Sequence, residues 1–133
     1  MKPSRLALPC LVLGAALAGP AQAQTEIQWW HSMGGALGEW VNDLAKDYNA
    51  SQKDYKVVPT FKGSYDESMT AAIAAFRAGN APHILQVFEV GTATMMASKG
   101  AVVPVGKVMA DAGQKFDPKI YVPAVAGYYT APN

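Results

Sequence analysis

The chain predicts an α/β fold: an open, mostly parallel sheet with helices on both faces. Three observations carry this. Segments of two-residue alternation take turns with segments whose apolar residues recur at three- and four-residue spacing. A nearly continuous apolar run, Ile84 to Phe88, follows Pro82 and suits a buried central strand. No repeat or low-complexity linker interrupts the order strand, helix, strand, helix, strand, helix. Right-handed crossovers turn that order into one layered sheet.

The elements follow in sequence. Thr25 to Trp30 alternates polar and apolar residues and reads as a strand. His31 to Gly35 is a loop, with Ser32 expected to cap the next helix. From Ala36 to Asn49, Leu37, Trp40, Val41, Leu44 and Tyr48 form one stripe, expected to face a core. Tyr55 to Phe61 is a second strand, and Pro59 places it at an edge or bulge because proline cannot donate to a ladder. Lys62-Gly63-Ser64 is a turn. Tyr65 to Gly79 is a second helix with Met69, Ala72, Ile73 and Phe76 on its apolar side, stopped at Gly79-Asn80. A third helix is expected from Gly91 to Lys99, stopped by Gly100. Val102 to Val105 reads as extended, Val108 to Ala112 as a helical turn, and Ile120 to Tyr129 as an extended apolar tail broken by Pro123 and Gly127.

Residues 1–23 read as a secretory signal peptide. Lys2 and Arg5 give a positive start, Leu6 to Ala18 an apolar stretch, and Ala21 and Ala23 the small residues of a cleavage site before Gln24. The apolar stretch is shorter than the roughly 20 residues needed to span a bilayer. The sole cysteine, Cys10, sits inside that stretch, so cleavage leaves a chain without disulfide or thiol chemistry. Losing Lys2 and Arg5 takes the formal charge from +1 to −1, so no basic stripe remains for nucleic acid or anionic lipid. Residues 24–133 suffice for one small domain.

In open α/β sheets, ligands sit beyond the carboxyl ends of the strands. That rule selects Trp29 to Met33 after the first strand, Gly63 to Tyr65 after the second, and Phe88 to Gly91 after the third. Aromatic faces, a phenol and a carboxylate suit a polyol with polar and apolar sides. Each has an alternative role. Core packing explains one of the adjacent Trp29 and Trp30, Glu89 also suits the start of the helix after it, and Tyr65 is also an ordinary helix-start aromatic. His31 and Ser32 lack a nucleophile motif such as Gly-x-Ser-x-Gly, so an exported hydrolase built on them is the lesser reading. His31 and His83 lack metal-ligand spacing, and no phosphate-cradling glycine motif exists, so neither a metal nor a cofactor is expected.

Several segments carry a family likeness. Ile27-Gln28-Trp29-Trp30-His31-Ser32-Met33, Val58 to Tyr65, Ala74 to Pro82, Gln86 to Ser98 with its Glu89-Val90-Gly91-Thr92-Ala93-Thr94-Met95-Met96 core, and Val122 to Tyr129 closely resemble the periplasmic sn-glycerol-3-phosphate-binding proteins of ABC importers. These are extracellular solute-binding proteins of the maltose-binding type. The resemblance spans the chain after the leader. It implies a periplasmic-binding-protein type II-like fold, a two-lobed monomer that closes on sn-glycerol-3-phosphate or a glycerophosphodiester, and delivery to membrane permease subunits served by a cytoplasmic ATPase. It implies that Tyr65 and Glu89 touch the ligand, with Trp30, His31 and Ser32 as candidate cleft lining. Glu89 would take the glycerol hydroxyls and Tyr65 the phosphate end, since a carboxylate repels a phosphate but accepts hydroxyl donors. A sugar-binding relative is the alternative. Family members are several times longer. Residues 24–133 are accordingly expected to be the first part of an N-terminal lobe, short of the second lobe and of the arginine that would neutralise the phosphate.

Overall fold

The computed structural model describes residues 23–130. The expected leader, residues 1–23, lies outside the described residues except for Ala23.

Strand β1 (Thr25–His31) leads into helix α1 (Gly35–Ser51), strand β2 (Tyr55–Phe61), helix α2 (Tyr65–Arg77) and strand β3 (Ile84–Leu85). The three strands form one parallel sheet in the order β2-β1-β3. From β1 the chain steps one way to β2, then back past β1 to β3. Right-handed crossovers therefore place α1 and α2 on opposite faces. Leu44, Ala45 and Tyr48 of α1 share a hollow with Ile27, Trp29 and Val57. Ala72, Ile73 and Phe76 of α2 share another with His83 and Leu85. The open parallel α/β layer is as the alternating pattern predicts.

β1 and β2 pair over their whole lengths, Thr25 opposite Tyr55 through His31 opposite Phe61. Pro59 lies opposite Trp29 on the edge strand, where its missing N–H costs no ladder bond. α2 opens with a reciprocal cap. The Ser64 hydroxyl accepts from the Glu67 N–H, and the Glu67 carboxylate accepts from the Ser64 N–H at 2.7 Å. It closes at Gly79, φ +75°, with the Gly79 N–H donating to Phe76 O and the Asn80 N–H to Ala75 O.

Several expectations need correction. Ser32 does not cap α1: Gly34 holds the cap position and no side chain bonds there. The third strand is shorter than the run Ile84 to Phe88: it holds two residues and, among the described residues, pairs with β1 alone, which leaves β1 in the middle. Its pairing is extended by a side chain, since the Gln28 N–H donates to His83 Nδ1 at 3.0 Å while the His83 N–H donates to Gln28 O at 3.1 Å. The helix after it is split into a 3-10 turn (Glu89–Gly91) and α3 (Thr92–Ala97). The tail is not extended. After α4 (Val105–Asp111), it forms a 3-10 turn (Pro118–Ile120) and helix α5 (Pro123–Tyr128). Pro123 starts that helix instead of breaking it, because the first helical N–H has no intrahelical partner to lose.

The core is thin. Val41 and Ala45 of α1 and Ala72 of α2 are the buried apolar side chains among the described residues. Leu37 and Trp40, expected to face a core, are each 59% exposed, and Leu44 and Tyr48 are also open. Among the described residues, no helix is long and apolar enough to cross a membrane.

Candidate ligand-binding site

The strand order decides where a crevice can open. β1 lies between β2 and β3, so the loops beyond the three carboxyl ends stand side by side at one end of the sheet, and the gap among them is the candidate crevice. The residues at that gap are His31 at the end of β1, Ser32 to Gly34 after it, and Gln86 to Gly91 after β3. Lys62 to Tyr65 follow β2 on the neighbouring side.

These loops are tied together by backbone. The Gln86 N–H donates to Trp30 O at 2.9 Å, and the Ser32 N–H donates to Gln86 Oε1 at 3.0 Å. The Lys62 N–H donates to His31 O at 2.8 Å. Gln86 therefore clamps β1 to β3 through both its main chain and its side chain. A single polar residue inside the run Ile84-Leu85-Gln86-Val87-Phe88 was the sequence signal for this clamp.

Tyr65, the first residue of α2, stacks on Phe88 with ring centroids 5.0 Å apart and 23° between planes. Phe88 directly precedes Glu89, so the phenol and the carboxylate come from adjacent structure although they lie on different elements. Glu89 is exposed, and Tyr65 is half-buried. The Glu89 carbonyl accepts from Tyr128 Oη at 2.9 Å, which anchors α5 to the 3-10 turn. That turn lies close to α2. A Cβ on Gly91 would stand 2.9 Å from Val87 Cγ1 and 3.1 Å from the Met69 side chain, so only glycine permits the approach.

The remaining predicted residues divide. Trp30 is half-buried, and the Lys62 Nζ lies 3.9 Å from the centre of its ring. Ser32 is half-buried, but its Oγ is buried without a hydrogen-bond partner. His31 is only 3% exposed, with its ring 6.1 Å from both Trp29 and Phe61. Burial pushes its pKa below the ordinary 6.5, because the charged form would be stripped of water. Its Nδ1 accepts from the Met33 N–H at 3.3 Å, leaving the ring proton to Nε2. It packs beneath the loop and shapes it. Ser68 on α2 is a further buried hydroxyl without a partner, and nothing in the alanine-rich helix pattern flagged it.

The two hollows on the sheet faces, about 730 and 560 Å³, include neither Tyr65 nor Glu89 in their walls. Both are mainly apolar and belong to the thinly covered core. The chemistry gathers instead at the strand ends. Among the described residues, no cluster of three His, Cys, Asp or Glu side chains could hold a metal ion.

The sequence model of a family described as bacterial extracellular solute-binding protein matches residues 15–132. The sn-glycerol-3-phosphate-binding periplasmic protein UgpB of Escherichia coli strain K12 is 57% identical over 130 residues, which is 98% of this chain and 30% of that protein. Its counterparts in Shigella flexneri serotype 5b and Escherichia coli O1:K1 show the same identity and coverage. The chain thus spans 30% of the length of these curated relatives.

Proposed function

The chain belongs to the bacterial extracellular solute-binding protein family, and on that premise we propose that residues 24–133 form part of one lobe of a periplasmic binding protein for sn-glycerol-3-phosphate. The protein would capture this solute, close over it and deliver it to the permease of an ABC importer. Residues 1–23 would be the export signal. The observation that carries the reading is the stacking of Tyr65 on Phe88 beside Glu89, in the loops beyond the carboxyl ends of the strands. Glu89 serves the glycerol hydroxyls, because a carboxylate accepts two donors at once and holds a phosphate away. Tyr65 lies toward the phosphate end, where its hydroxyl donates to an oxyanion. Trp30 and Ser32 line the floor, and the buried His31 props the loop from behind. Binding and release suffice for this task, so none of these groups is assigned bond chemistry.

The test uses a full-length graft, in which residues 24–133 replace the matching segment of the Escherichia coli K12 relative. Calorimetry with sn-glycerol-3-phosphate should show saturable binding. Glu89→Gln should weaken it by roughly tenfold to a hundredfold, the usual loss for a hydrogen bond to a charged group. Tyr65→Phe should weaken it by less, since stacking survives. A folded graft that ignores sn-glycerol-3-phosphate and binds a maltose-like sugar would replace this reading with that of a sugar carrier.

A further inference from the structure

An anion entering the gap needs a positive group, and the loops beyond the strand ends offer one. Among residues 31–34, 62–64 and 86–91, Lys62 is the sole lysine or arginine. Two features hold it in place. Its N–H donates to His31 O at 2.8 Å, which fixes its backbone against the end of β1. Its Nζ lies 3.9 Å from the centre of the Trp30 ring, where the negative face of the indole attracts a cation. No carboxylate competes for it: among the described residues, the one ion pair is Lys107–Asp111.

We infer that Lys62, seated on Trp30, binds the anionic end of the ligand. This rests on the glycerophosphate reading and deepens it. An ammonium has three donors, and a π face beneath it satisfies none of them by a conventional hydrogen bond. Those donors remain for phosphate oxygens, while the indole restricts where the flexible side chain can go. Lys62 is three residues before Tyr65, joined to it through Gly63 at φ +79° and the capping residue Ser64. The cation thus enters on the Tyr65 side of the site, and the carboxylate of Glu89 enters from the loop after β3. The pair gives the ligand a direction: phosphate toward Lys62 and Tyr65, hydroxyls toward Glu89. Trp30, read from the sequence as an aromatic surface for the ligand, becomes the seat of the cation.

The full-length graft tests this with sn-glycerol-3-phosphate over a range of salt concentrations. Lys62→Gln should weaken binding about tenfold at low salt and flatten its salt dependence, because one charge-assisted contact is gone. Lys62→Arg should keep both affinity and salt slope near those of the parent. The inference is overturned if Lys62→Gln binds like the parent, or if it binds weakly with the salt slope unchanged, which would mark a structural lysine. A parent graft that melts cooperatively but does not bind sn-glycerol-3-phosphate would overturn the glycerophosphate reading itself, and this inference with it.

Discussion

Gly63 and Gly79 bracket α2, and substituting each in turn separates stability from binding. Both hold left-handed backbone, φ +79° and +75°. An alanine in that region costs about 1–2 kcal/mol, since its Cβ crowds the neighbouring carbonyl. The conformational cost of Gly63→Ala and Gly79→Ala should therefore be nearly equal. Their surroundings differ. A Cβ at Gly79 meets nothing within 4 Å, whereas one at Gly63 would overlap the Glu67 carboxylate. That carboxylate must swing away, giving up the hydrogen bond it accepts from the Ser64 N–H. The bonds from the Ser64 backbone and then its hydroxyl hold the Glu67 carboxyl below its ordinary 4.5. Gly63→Ala should return it toward that value, and Gly79→Ala should leave it lowered. Gly63 also separates Lys62 from Tyr65, so only its substitution should re-aim both and weaken sn-glycerol-3-phosphate binding. Denaturant melts, an NMR titration of Glu67 and calorimetry on the full-length graft read the three effects. Equal loss of affinity in the two variants would refute the reasoning, as would a Glu67 titration that Gly63→Ala does not move.

Other outcomes follow from single features. Ser64→Ala should cost about 1 kcal/mol in denaturant melts by leaving the first turn of α2 without its cap. Val41→Ala should cost about 2 kcal/mol in the full-length graft, since Val41 is 2% exposed and the change removes two buried methyl groups. His31 has a folded pKa lowered by burial, so its contribution to stability is complete above the unfolded value of 6.5. That contribution should fall as pH drops below 6.5 toward the folded pKa, and His31→Gln should flatten melts across that window. Residues 24–133 by themselves, with Leu37, Trp40, Val90 and Ile120 open to water, should bind a hydrophobic dye and melt without a sharp transition. A cooperative melt with no dye binding would count against that picture.

The regular elements were legible where local chemistry settles them. Alternation in Thr25–His31 and Tyr55–Phe61 needs only the pleat to put successive side chains on opposite faces. Pro59 announced an edge because its missing N–H is a property of the residue itself. Gly79 marked the end of α2 because only a residue without Cβ sits comfortably there. The failures share a different cause. Ser32 has the chemistry of a cap, but the helix begins later, with Gly34 in the cap position, and the Ser32 hydroxyl is left without a partner. The run Ile84 to Phe88 has the composition of a central strand, yet among the described residues it pairs with β1 alone and leaves the ladder after Leu85. Pro123 and Gly127 look like breakers when taken singly, while one starts α5 and the other lies near its end.

The site divides in the same way. The sequence by itself determined the open α/β layer, the three loops at its strand ends, and the presence there of a phenol, a carboxylate and indoles. Those follow from periodicity and residue type, which are local. Which groups meet depends on strand order, and a sequence does not print that order. Only the arrangement β2-β1-β3 sets Tyr65 on Phe88, buries His31 between Trp29 and Phe61, and brings Lys62 over Trp30. The physical reason is that a parallel crossover carries each loop to one end of the sheet. The direction of the next crossover then decides which side chains face one another across the gap.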